Sequence, residues 1–199
     1  MKLEEIINRI INIDKETVKI KEKTEEIIGD KEKQLKEVLQ SLEKEYLEKY
    51  NGVNENSMVY SALENIRLLE NLNYENIKIS LKASSVPLTI KSYEKMSEMV
   101  DYPLHLGVTE AGPVWRGTIK SSVGIGTLLS MGIGDTIRIS LTGDPVEEVK
   151  VGREILRSLN LLEEGIEIIS CPTCGRAKIG LIDLVEEAEK RLADIKKPL

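Results

Sequence analysis

Four short runs rich in β-branched and aliphatic residues begin near positions 77, 102, 136 and 166, at intervals of 25, 34 and 30 residues. This spacing constrains the chain more than any other feature. The runs (77–81, 104–108, 136–141 and 166–169) are predicted strands, too far apart for hairpins and well placed for crossover helices. Helical apolar spacing fills the gaps at 57–72, 87–100, 117–131 and 145–159, with a charged helix predicted at 181–196. Asp144-Pro145-Val146-Glu147 is a strong helix start: Asp144 can cap, Pro145 suits the first helical position and Glu147 can complete a capping box. Strand and helix in alternation predict an α/β fold with a parallel sheet, either open or part of a (β/α)8 barrel. A complete barrel takes about 250 residues. With 199 residues, the expectation is a partial barrel, an open sheet or part of an assembly.

The first segment is of another kind. Of residues 1–50, 24 are charged, and the first proline of the chain is Pro87. Leu3, Ile6, Ile10, Ile13, Thr17, Ile20, Thr24 and Ile27 recur at alternating three- and four-residue steps, an a/d seam softened by two threonines. Gly29-Asp30 then interrupts the run, and Leu35, Leu39, Leu42 and Tyr46 form a second stripe. So narrow a seam must pair with something: by folding back as a hairpin at Gly29, by dimerising or by lying on the following domain.

Charge and composition exclude several functions. Twenty-eight basic against 34 acidic residues leave a net charge of −6, which disfavours nonspecific binding to nucleic acid. Seven aromatic side chains (six Tyr, one Trp, no Phe) offer little for base stacking. Two cysteines cannot build a disulfide framework, and neither a signal peptide nor a membrane-spanning apolar run is evident. The expectation is a reduced, cytoplasmic protein without a membrane partner.

In parallel α/β folds chemistry sits past the carboxyl ends of the strands, and the polar residues gather there. Lys82 and Ser84 follow the first run, and Thr109 and Glu110 the second. Arg138, Ser140 and Thr142 alternate along the third and share a side. Two cations, several hydroxyls and one carboxylate suit an anionic, phosphorylated ligand and a proton donor. Singly, each has a plainer reading: surface cations, a solvated carboxylate and, for His105 in mid-strand, a satisfied core residue. Cys171-Pro172-Thr173-Cys174-Gly175 puts two thiols on a tight turn, a spacing open to a zinc knuckle, an edge of an iron–sulfur cluster or a redox pair.

Taken together, SLEKEYLEKYNGV (41–53), ISLKAS (79–84), YPLHLGVTEAG (102–112), GTIKSSVGIGTLL (117–129), GDTIRISLT (134–142), DPVEEVKVG (144–152) and ISCPTCGR (169–176) resemble the hydroxymethylbutenyl diphosphate synthase family of the methylerythritol phosphate isoprenoid route. The resemblance spans about four-fifths of the chain, from Ser41 onward, in the family's order. It implies the last units of a TIM-type barrel (41–162) followed by the beginning of an α+β iron–sulfur domain (163–199), behind a charged helical arm (1–40) unlike the family. It further implies reductive ring opening of methylerythritol cyclodiphosphate, with electrons from flavodoxin or ferredoxin through a 4Fe–4S cluster. By the same resemblance Lys82, Ser84, Thr109, Arg138 and Ser140 lie at the substrate and Glu110 is the proton donor. Cys171 and Cys174 match two of the three cysteine ligands.

The departures carry expectations too. The family has five earlier βα units before the point matching Ser41, and Val38-Leu39-Gln40 replaces its Asn-x-Gly. Its third cysteine and following carboxylate ligand have no counterpart here. The chain is therefore expected to be a homo-oligomer that does not catalyse alone. The competing expectation is a non-catalytic binding or assembly module, dimerised through the arm, with a zinc ion shared by Cys171 and Cys174.

Overall fold

The computed structural model describes residues 3–172, 179–192 and 195, with side chains from residue 18 onward except that of Leu35. The chain divides into two compact units, Met1–Glu75 and Asn76–Leu199. No helix among the described residues is long and apolar enough to cross a membrane.

The first unit is two helices. α1 (Leu3–Lys49) runs 47 residues without a break, about 70 Å at 1.5 Å per residue. The expected interruption at Gly29-Asp30 and a hairpin there are not found. One glycine costs a helix only about 1 kcal/mol, and the flanking Glu, Lys and Ile residues keep the turn helical without a proline to stop it. Ile20 and Ile27 of the seam are 67% and 52% exposed. α1 ends where Asn51 and Gly52 take positive φ values of 56° and 109°, and the Gly52 N–H donates to the Leu47 carbonyl at 2.8 Å. α2 (Glu55–Asn71) then packs against α1. Asn54 caps it reciprocally with Ser57, and the rings of Tyr46, Tyr50 and Tyr60 stack at 6.1 and 5.5 Å.

The second unit carries the alternating pattern. Its elements are α3 (Val86–Ser97), β1 (His105–Leu106), α4 (Val114–Ser130), β2 (Thr136–Ile137), α5 (Pro145–Ser158) and α6 (Leu181–Leu192). β1 and β2 pair in parallel, His105 opposite Thr136 and Leu106 opposite Ile137. Parallel bridges Ile79↔Leu104 and Pro113↔Thr142 extend the same sheet direction. The third predicted strand thus shortens to two residues and the first to a single bridge. The fourth, at 166–169, is irregular: Gly165 turns the backbone with φ 79°, and Ile169 is 87% exposed with no ladder beside it among the described residues.

Parity decides which side of this layer is core. Ile79, Leu81, Leu104, Leu106, Val108 and Ile139 are all buried. Each such side chain contributes about 2 kcal/mol through burial. Helix α4 closes on this face because Gly124 has no side chain; a Cβ there would lie 2.8 Å from Val108 Cγ2. Tyr93 and Met96 from α3 and Ile125 and Leu128 from α4 complete the core.

Two acidic side chains tie backbone ends. Asp135 accepts from the Leu104 N–H at 2.7 Å, and Glu148 of α5 from the Leu141 N–H at 2.7 Å. Asp144 caps α5, as expected, by accepting from the Val146 N–H at 2.9 Å. Glu147 makes no capping box; it pairs with Lys150 at 2.7 Å, an attraction available one turn along the same helix.

Candidate functional site

The face opposite the core is polar, and alternation builds it. From the first segment come Lys78, Ser80, Lys82 and Ser84; from the second His105, Gly107 and Thr109; from the third Thr136, Arg138 and Ser140. Hydrogen bonds hold these rows in register. The His105 N–H donates to the Ile79 carbonyl at 2.7 Å, the Thr109 N–H to the Ala83 carbonyl at 3.2 Å and the Arg138 N–H to the Leu106 carbonyl at 2.9 Å. Of the expected substrate residues, Lys82, Arg138 and Ser140 fall on this face by alternation, while Ser84, at a bend, and Thr109, at a turn, directly follow it.

Gly107 lies between the Lys82 stem and the Arg138 backbone. A Cβ on Gly107 would lie 2.9 Å from Lys82 Cε and 2.9 Å from the Arg138 carbonyl oxygen. The Lys82 stem crosses the strand over this gap. Its ammonium is held below the ordinary lysine pKa, first by burial and then by Arg138 and Lys78. None of the ion pairs among the described residues involves Lys78, Lys82 or Arg138. Three cations without an ion pair among the described residues, on one face of an acidic chain, form a place for a multiply charged oxyanion, with the Ser84, Thr109 and Ser140 hydroxyls as neutral donors.

His105 is not a core residue. Its ring is half-buried on the polar face, with Nδ1 2.8 Å from Thr136 Oγ1. Burial first, then Lys82, Lys78 and Arg138, lower its pKa below 6.5. Lys78 was not among the expected site residues. Its parity with Lys82 in the Lys78-Ile79-Ser80-Leu81-Lys82 run was the available signal.

Glu110 lies outside the row by parity. It is exposed, one residue beyond Thr109, with φ 51°. A non-glycine residue in the left-handed region is uncommon and sets the direction of its side chain independently of the strand. Cys171 is a free, exposed thiol. Cys174 lies outside the described residues, and no group of three or more His, Cys, Asp and Glu side chains suited to a metal occurs among the described ones. The described residues thus supply one cysteine and do not complete a cluster site.

A cavity of about 700 Å³ lies apart from the polar face, where the end of α5 and residues 160–168 meet the last turn of α6. Glu154, Glu163, Glu164, Glu167 and Glu189 line it against Arg157. Its sign is wrong for an anion.

Comparison with known proteins identifies the family. Residues 18–153 match the profile of the GcpE TIM-barrel domain. The chain is 65% identical over 159 residues to a protein of Caldanaerobacter subterraneus subsp. tengcongensis named 4-hydroxy-3-methylbut-2-en-1-yl diphosphate synthase (flavodoxin), covering 80% of this chain and 45% of that one. It is 60% identical over 159 residues to a protein of that name from Clostridium acetobutylicum, covering 80% and 46%. A third, from Geobacter sulfurreducens, is 60% identical over 155 residues, covering 78% and 44%. The chain spans about half the length of the curated relatives it matches.

Proposed function

This chain belongs to the GcpE family, and on that premise we propose that its polar face holds the diphosphate of 2-C-methyl-D-erythritol 2,4-cyclodiphosphate for 4-hydroxy-3-methylbut-2-en-1-yl diphosphate synthesis. The observation that carries this reading is that Lys82 and Arg138, on segments aligned by backbone bonds beside Gly107, act on each other electrostatically and make no ion pair among the described residues. Lys82 and Arg138 hold the phosphoryl oxygens; Ser84, Thr109 and Ser140 donate hydrogen bonds that orient them. Glu110, projecting past the end of β1 (His105–Leu106), donates a proton to the oxygen that leaves as water. The reaction opens the ring at a carbon–oxygen bond, takes up two electrons and two protons and releases one water.

In this reading residues 41–162 are barrel units and 163–199 begin a cluster-binding part. Cys171 and Cys174 are two ligands of a 4Fe–4S cluster that, when bound, supplies electrons drawn from flavodoxin. Of these two, Cys171 lies among the described residues. The exposed Ile20 and Ile27 on α1 support an arm (1–40) that joins copies of the chain, and the free Cys171 thiol together with a flavodoxin donor fits a cytoplasmic setting.

The test is calorimetric titration of the full chain with inorganic pyrophosphate. Binding that weakens about tenfold or more in each of Lys82→Ala and Arg138→Ala is expected, since each removes a charge-assisted contact. Binding unaffected by both changes would place the anion site elsewhere.

A further inference from the structure

The polar face extends past the residues assigned above. His105 lies two residues before Gly107 on the same strand, about 7 Å away along it. Its neighbour on the third segment is Thr136, whose hydroxyl engages Nδ1. The groups acting electrostatically on the ring are Lys78 and Lys82 on the first segment and Arg138 on the third, all cationic. Helix α3 contributes the Tyr93 hydroxyl, which donates to the His105 backbone carbonyl. The nearby carboxylate on the third segment, Asp135, is engaged with the Leu104 N–H.

We propose that His105 is a further anion-binding group of this face, taking up a proton as an oxyanion settles between Lys82 and Arg138. The inference rests on the preceding reading of that face and adds a ligand and a proton to it. In the empty site three cations oppose a fourth, so the ring stays neutral near pH 7. An oxyanion neutralises those cations and places negative charge beside the imidazole, which reverses the balance. Thr136 makes the change cheap. Its hydroxyl can donate to an unprotonated Nδ1 or accept from an Nδ1–H, so the 2.8 Å contact persists in both states. Nε2–H is on offer to the anion in both states, and the proton taken up at Nδ1 adds positive charge to it. Anion affinity therefore rises as pH falls toward the free-state titration of His105.

Because His105 is the sole histidine, its ring resonances follow this directly. The full chain would be titrated with acid by NMR, free and saturated with pyrophosphate, and again with sulfate, which does not titrate in this range. The His105 midpoint is expected below 6.5 in the free chain and about one unit or more higher with either anion, equivalent to about tenfold tighter binding to the protonated form. His105→Gln, and His105→Asn as a second variant, should bind sulfate more weakly than the parent chain at pH 6 and lose its strengthening between pH 7.5 and 6. Pyrophosphate that binds through Lys82 yet leaves the His105 midpoint in place overturns the inference while the anion site stands. Absence of any pyrophosphate binding overturns both.

Discussion

The Tyr93 hydroxyl donates to the backbone carbonyl of His105 and stands where a direct bond between two neighbouring segments would otherwise form. Ile79 N–H meets the Pro103 carbonyl and His105 N–H meets the Ile79 carbonyl; in this parallel register the Leu81 N–H should reach the His105 carbonyl directly. It donates instead to the Tyr93 oxygen at 2.9 Å. One phenol thus spreads two segments immediately before Lys82. Burial raises its pKa above the ordinary tyrosine value, so it remains a donor throughout the neutral range.

Tyr93→Phe should cost about 1–3 kcal/mol, because it leaves a buried N–H and carbonyl to find new partners. Urea unfolding monitored by circular dichroism measures this. Pyrophosphate affinity should fall as well, since closing the 81–105 gap moves the root of Lys82; unchanged affinity would show that the spread is irrelevant to the site.

Gly107→Ala should weaken pyrophosphate binding about tenfold. The new methyl group would meet Lys82 Cε and the Arg138 carbonyl, each at 2.9 Å, pushing the ammonium away from the arginine. The measurement is a calorimetric titration beside a Gly126→Ala control, where a Cβ meets nothing within 4 Å. Equal losses in both variants would contradict the crossing geometry.

Stability should fall as pH drops below 6.5. The folded His105 has a lowered pKa, so between that value and 6.5 the unfolded chain binds more protons. The stabilising contribution of the neutral ring is present above 6.5 and is lost as pH falls through the folded pKa. Comparing urea midpoints of the chain and His105→Gln from pH 7.5 to 5 isolates this slope. Parallel curves would mean that His105 titrates as it does unfolded.

Asp144→Ala should destabilise by about 1 kcal/mol through loss of the cap on α5. Hydrogen exchange should show faster opening of the first turn of α5 and little change in α3.

If α1 joins copies of the chain, Ile20→Asp combined with Ile27→Asp should convert the sedimenting species to monomer, since both side chains face solvent in the first unit. A monomeric parent chain at tens of micromolar would remove the assembly role of the arm.

Much of this organisation is legible in the residues. Helices α2 to α5 follow apolar spacing and start signals such as Asp144-Pro145, which act within one or two turns. The alternation Lys78-Ser80-Lys82-Ser84 against Ile79 and Leu81 marks a two-sided strand, and the family motifs carry Lys82, Arg138 and Glu110. Strand extent was less readable. Residues 166–169 have a strand's composition but no ladder beside them, because a strand exists by virtue of its neighbour.

Local pattern thus accounts for the helices, the polar side of each segment and the family. It could not show that α1 passes unbroken through Gly29, that Tyr93 enters the ladder, that Lys82 crosses Gly107 or that His105 lies among cations. Those last three depend on the register of segments some 25 to 34 residues apart. Register is settled when the whole apolar face is buried at once, and no single run of residues encodes it.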